Sequence, residues 1–522
     1  MTNRDRQAAW TYHDGTKHSQ QSVRANPHYL DFANQPSPFK IYPTLSSLSL
    51  PREMGQTGIA ALSAIAQTKV AAEGAVTPDL KSLAQILYFS AGITKRRPYP
   101  GGEIFFRAAS CTGALYEIEL YLVCGDLPDL EAGVYHFGVG DFGLRKLRAG
   151  DYRQVLAHAS GAEPAVSHAP VTIICTGTYW RNAWKYQART YRHFGWDNGT
   201  ILANLLALCT ALRLPARVVC GFLDTEVNRL LDLETEREIA FSLVAVGHVA
   251  DLPPAPPSAI HPLELETVPS SGTEVDYPAM REMHEASSLR SVAEVAEWRG
   301  RPLLIEPPAP TGLTVPLQPL SEKTMSLDPI EQAILRRGST RKFTQESITF
   351  AQLSTMLCRA TRGIPADFLH PLGTHLNDTY LLVHAVEGLA PGAYVFHRRL
   401  GVLECLKRGS FRSEAYHLGL EQELPAQASV AVFFLADLRS VLERFGNRGY
   451  RAVQLEAGIL GGKLYLAAYA QRLGATGLTF YDDDVTEFFS PHAKGKSEIF
   501  LMALGKSAKQ GQRLVSLGSP SA

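Results

Sequence analysis

A chain of 522 residues exceeds the commonest domain size several-fold, so at least two folded units with ample cores are expected. Its 51 Lys and Arg balance 51 Asp and Glu, which excludes the overall field that gathers nucleic acid or anionic membrane. Apolar residues at 45% and charged residues at 20% exclude the disordered and fibrous classes.

Residues 1–60 read as a polar extension that starts without an apolar signal stretch. A first folded half is placed at 61–250. In it, Leu120–Val123 and Val171–Cys175 read as strands on either side of a Gly-Tyr hairpin, Asp197–Leu212 as a long helix apolar on most sides, and Ile239–Val246 as a central strand. Prolines 253, 254, 256, 257 and 262, then 302, 307, 308, 310, 316 and 319, mark 251–325 as a connector, with one helix near Ala279–Arg299. The second half, 326–522, repeats the scheme: strands Tyr380–Val383 and Val430–Leu435, a long helix Leu455–Arg472 and a strand Ile499–Leu504. No apolar run approaches the ~20 residues of a membrane span. Seven cysteines (111, 124, 175, 209, 220, 358 and 405) form no C-x-x-C pair. A cytoplasmic, unanchored α+β protein is expected.

The two halves are copies of one unit. Leu130-Glu-Ala-Gly-Val-Tyr-His-Phe137 matches Leu389-Ala-Pro-Gly-Ala-Tyr-Val-Phe396 at a spacing of 259 residues. Arg189-Thr-Tyr-Arg192 and Arg448-Gly-Tyr-Arg451 keep the same spacing, as do Tyr121 and Tyr380.

Three motifs carry candidate chemistry. Arg336-Arg337-Gly-Ser339-Thr-Arg341-Lys342-Phe343 gathers cations and hydroxyls suited to a phosphate, although a solvated basic loop has the same composition. The other two are Arg107-Ala-Ala-Ser110-Cys111-Thr112-Gly113-Ala-Leu-Tyr116-Glu-Ile-Glu119 and Lys185-Tyr186-Gln-Ala-Arg189-Thr-Tyr191-Arg192. The first resembles the Arg-Arg-Ser-x-Arg-x-Phe opening of the FMN-dependent nitroreductase superfamily, with Gly338 in place of the second arginine. The others resemble the Pro-Ser-Ala-Gly-Ala loop, here with Ala109 for proline, and the Lys-Tyr motif of its SagB/ThcOx-type dehydrogenases, the azoline oxidases. Tyr12-His13, Thr16-Lys17-His18 and Pro38-Phe39-Lys40-Ile-Tyr42 are similar to the N-terminal region of double-domain members.

The resemblance implies two tandem nitroreductase-like domains, each a mixed sheet flanked by helices, paired within the chain as subunits pair elsewhere. It assigns Arg336, Arg337, Ser339 and Arg341 to the flavin phosphate and ribityl chain. Arg107, Ser110, Thr112, Gly113 and Arg189 fall to the flavin ring side, Gly477 and Leu478 to a backbone segment beside the ring, and Lys506 to the phosphate. Each half lacks what the other keeps: Ala66-Gln67-Thr68-Lys69 stands where the second half has its basic cluster, and Leu369-His370-Pro371-Leu372 where the first has Ser110–Gly113. Arg444-Phe445 replaces Lys185-Tyr186. One complete FMN site per chain is expected, beside one degenerate site.

Lys185 and Tyr186 are the candidate catalytic pair: dehydrogenating an azoline removes a proton and a hydride, and a lysine desolvated under the flavin would serve as base. The implied substrate is a small molecule or modified peptide, with biosynthetic partner enzymes or a homo-oligomer as possible company. The rivals are an NAD(P)H-dependent nitro or quinone reductase and a flavin-degenerate peptide-docking subunit. Asp482-Asp483-Asp484 reads as a solvated turn or helix cap, and no metal site is expected. Neither a Rossmann fingerprint nor a P-loop occurs.

Overall fold

The computed structural model describes residues 2–67, 74–100, 102–300, 309–371 and 373–508. Thr68, Lys69, Pro302, Pro307, Pro308 and Leu372, named above, lie outside the described residues. The chain builds the same seven-stranded sheet twice. From edge to edge the first runs Ser47–Ser49, Gly143–Ala149, Gly133–Gly138, Ile118–Cys124, Val171–Thr178, Glu238–Val246 and Ala216–Val219. The second runs Leu313–Pro316, Val402–Arg408, Gly392–His397, Asn377–Val383, Val430–Ala436, Ser497–Gly505 and Gly474–Leu478. Neighbouring strands in both sheets are antiparallel, so the mixture is of helices with strands and not of strand directions. The first edge strand comes from the N-terminal extension and its counterpart from the connector. The helix expected near Ala279–Arg299 is two, Pro278–Ala286 and Val292–Arg299, the second begun by a Ser291 side chain that accepts from the Glu294 N–H.

The two long helices run Thr190–Ala211 and Gly449–Ala470, and nearly every residue of both is buried. They cross where Gly199 meets Gly458, its copy 259 residues on. A methyl group on Gly199 would lie 2.5 Å from the Gly458 carbonyl carbon, and one on Gly458 2.6 Å from the Gly195 carbonyl oxygen, so two backbones approach here only without side chains. Contact between a residue and its own copy is the signature of an isologous interface, here inside one chain.

Charge closes that interface reciprocally. Arg189 and Arg192 of the first half reach Asp482 of the second at 3.1 and 2.6 Å. Arg448 and Arg451 of the second half reach Asp224 of the first, both at 2.6 Å. Both carboxylates are buried at the first turn of a helix that follows an edge strand. Asp482 is therefore no solvated turn residue but a buried counter-ion. The Arg-x-Tyr-Arg repeat, legible in the sequence as a pattern, is the clamp between the halves. The extension adds to it: Asn3, ahead of helix Gln7–Gly15, is buried against the second half and donates to Phe445 O, and the His13 carbonyl within that helix accepts from Arg192.

Candidate active site

Between the halves opens a cleft of about 1070 Å³, at the upper end of the range for small-molecule sites. The first half contributes the turn Ser110–Gly113, the end of helix Tyr179–Tyr186, and Arg189, His193, Trp196 and Asp197 from the start of the long helix. The second half contributes Ser339, Arg341, Tyr465, Thr476–Thr479 and Phe500, while Lys17 and His18 of the extension close one side. Ser110, Thr112, Gly113, Lys185, Tyr186, Arg189, Ser339, Arg341, Gly477 and Leu478 thus meet in one place.

Local chemistry explains the geometry. Gly113 has φ 67°, and a methyl group there would stand 2.9 Å from the Tyr186 hydroxyl, so the turn needs glycine twice over. The Thr112 N–H donates to both Asp197 carboxylate oxygens at 2.9 Å, and its hydroxyl to Oδ1 at 3.0 Å, fixing the turn to the long helix. Opposite, the Tyr465 hydroxyl accepts from the Gly477 N–H at 2.6 Å and lies 3.2 Å from Ser339 Oγ, which ties the basic loop to the edge strand.

Four expected contributors stand elsewhere. Arg336 is bound to Asp328 and to the Tyr469 carbonyl. Arg337 crosses to the first half and donates to the carbonyls of Arg107 and Ala108, at 2.9 and 2.8 Å, so it holds the Ser110 turn in place. Arg107 donates to the Pro38 carbonyl and stacks on Tyr116, behind the cleft wall. Lys506 pairs with Glu346 at the surface. Lys185 lines the cleft but is exposed, its ammonium 5.4 Å from the Tyr186 ring centre, and not desolvated as expected.

Asp197, His193, Trp196, His18 and Tyr465 were not anticipated. For His193 and Asp197 the available signal was a polar pair at the start of an otherwise apolar helix. Burial, aided by the Arg189 charge, pushes His18 down to about 3 and His193 well below its ordinary range, so both imidazoles are neutral acceptors or donors at neutral pH. Burial also lowers Arg189, to about 10. Its Nη1 serves Asp482 and the Thr16 carbonyl, whereas Nε and Nη2 are buried without a partner. Arg341 is exposed at the cleft with no carboxylate against it among the described residues.

The equivalent position across the pseudo-twofold is filled by the chain itself. There Val218, the counterpart of Gly477, donates to the Pro365 carbonyl and accepts from the Asp367 N–H. The Asp367 carboxylate accepts from the N–H groups of Cys220 and Gly221 at 2.8 and 2.9 Å. Segment 365–367 thereby covers edge strand Ala216–Val219, whereas residues 476–478 of its counterpart line the cleft.

A family model described as the nitroreductase family matches residues 135–248 and 334–506, more than half of the chain. A crystal structure of a protein named as a nitroreductase from Anabaena variabilis superposes with a TM-score of 0.76 at 27% identity, covering 96% of this chain and 99% of that one. A Methanocaldococcus jannaschii protein, also named as a nitroreductase, is 26% identical over 168 residues, 32% of this chain and 80% of its own length. Among the described residues no helix is long and apolar enough to cross a membrane.

Proposed function

This chain belongs to the nitroreductase family, and from that premise we propose that it is an FMN-dependent oxidoreductase that dehydrogenates a heterocycle, such as a thiazoline or oxazoline in a modified peptide, with dioxygen as the final acceptor. The observation that carries the reading is the composite cleft: Ser339 and Arg341 of one half face Lys185, Tyr186 and the Ser110–Gly113 turn of the other.

The residues fit flavin mononucleotide. Arg341 and the Ser339 hydroxyl suit its phosphate. The unpartnered Arg189 Nε and Nη2 are buried donors that need an acceptor, which a flavin carbonyl satisfies. Trp196, Tyr186 and Phe500 offer apolar walls to a flat ring system. Bound FMN would supply the two-electron acceptor. Around it the protein excludes water by packing Lys17 and His18 over one side, orients the substrate between Tyr186 and the Gly477–Leu478 backbone, and holds the departing proton at the Lys185–Tyr186 pair.

Because segment 365–367 covers the second position, titration of apoprotein with FMN is expected to saturate at one equivalent per chain; two equivalents would contradict the asymmetry. Arg341→Ala removes one charge-assisted contact, about 1.5–3 kcal/mol, so flavin affinity should fall about 10- to 150-fold by fluorescence titration. Direction is tested anaerobically. A thiazoline-containing peptide should bleach the flavin and NADPH should leave it yellow; the reverse outcome replaces the reading with an NAD(P)H-dependent reductase.

A further inference from the structure

Beneath the Ser110–Gly113 turn, two carboxylates and a thiol lie together with no cation in contact among the described residues. Asp197 is 4% exposed and Glu117 fully buried. The Cys111 thiol donates to Glu117 Oε2 at 3.2 Å and approaches Asp197 Oδ2 at 3.4 Å. Asp197 has further donors in Thr112, whereas Glu117 Oε1 is buried with no donor at all. The nearest guanidinium groups are committed elsewhere: Arg107 to Pro38, and Arg181 to Glu119 and the Tyr116 carbonyl.

Two ionised carboxylates so placed would face each other without water or counter-ion, and the standard escape is for the pair to keep one proton. One proton kept on the pair removes one of the two buried charges. Burial first, then the neighbouring Glu117, raises the proton affinity of Asp197, and burial, then Asp197 and Glu117, raises that of Cys111. The cluster faces the chemistry: Asp197 and Cys111 line the cleft, and the Tyr186 hydroxyl lies against Gly113, the next residue but one after Cys111. Burial, followed by the Asp197 charge, raises Tyr186 too, so the phenol is neutral.

We propose that Asp197 and Glu117 share one proton, bridged by the Cys111 thiol, and form a proton store behind the Lys185–Tyr186 pair. This rests on the dehydrogenase reading for its purpose. As a substrate proton reaches the Tyr186 oxygen, the phenolic proton passes to the ionised member of the pair, so that the two acids together hold two protons and no net charge. When product leaves, one proton returns to water; no electrons move in this step.

The store is testable on flavin-free protein, apart from any substrate. Infrared difference spectra of wild type against Asp197→Asn should show the loss of one protonated-carboxyl C=O band at neutral pH, and the same band should vanish or move in Glu117→Gln. Glu498, buried with both oxygens unpartnered and its proton affinity raised by burial, contributes its own band, which Glu498→Gln identifies. The Cys111 S–H stretch should shift in both cluster variants. Should Asp197→Asn fail to fold, the wild-type carboxyl and S–H bands compared with Cys111→Ser decide. No protonated carboxyl beyond that of Glu498 overturns the proposal, as does one equivalent of zinc that is retained by wild type and lost in Cys111→Ser. If the bands behave as expected and no azoline is oxidised, the store stands and the dehydrogenase reading falls.

Discussion

Lys185→Ala is expected to retain FMN and to lose substrate oxidation by about 10²- to 10⁴-fold, the usual contribution of a positioned acid or base. The lysine sits in the last turn of helix Tyr179–Tyr186 at the cleft, its exposed ammonium over the Tyr186 ring, whereas Ser339 and Arg341 come from the other half. Flavin affinity should therefore survive its removal. Single-turnover reduction of bound flavin by a thiazoline peptide, followed anaerobically by the loss of yellow absorbance, isolates the step. Lys185→Arg separates two roles: it keeps the cation but not a titrating amine, so recovery in Arg marks an electrostatic role, and loss in both marks proton transfer. Tyr186→Phe should lower the rate while leaving the fold intact, because the ring packs against His193 at 4.8 Å whether or not it carries a hydroxyl. Unchanged flavin reduction in Lys185→Ala would remove the pair from the chemistry.

The duplication was legible because a spacing of 259 residues survives in glycines and tyrosines that turns and cores require, and the two sheets duly share one strand order. The composite cleft was legible as far as short motifs preserve it. What local sequence did not contain was the partner each long side chain finds. Arg336 stands within a basic run, yet Asp328, eight residues upstream on the approach to the same helix, captures it. Lys506 meets Glu346 only because the last strand ends beside that loop. Lys185 was expected under the flavin, but exposure depends on where its helix stops, and here the helix stops at the rim. Asp367 carries no motif at all; its role as the plug over Cys220 and Gly221 emerges only when the halves are docked.

The reciprocal clamps predict a graded pair of variants. Removing one partner of a buried ion pair costs about 3–5 kcal/mol, because a desolvated charge is left behind. Asp224→Asn and Asp482→Asn should each lower stability by that order in urea or heat, since each strands two buried guanidinium groups. Burial alone would raise both carboxyls, but the paired guanidiniums outweigh it and hold Asp482 well below the usual range and Asp224 at about 2. Folded-state values below the unfolded ~3.9 mean that this stability is present at neutral pH. It drains away as pH falls from about 4 through the folded values, and the wild type should unfold in acid over that window. The two sites differ in one respect. Asp224 sits on the covered side of the pseudo-twofold, whereas Asp482 holds Arg189, a residue that lines the cleft. Both variants should lose stability, and Asp482→Asn alone should also weaken FMN binding. Equal losses of flavin affinity in the two would show that Arg189 acts only as a clamp.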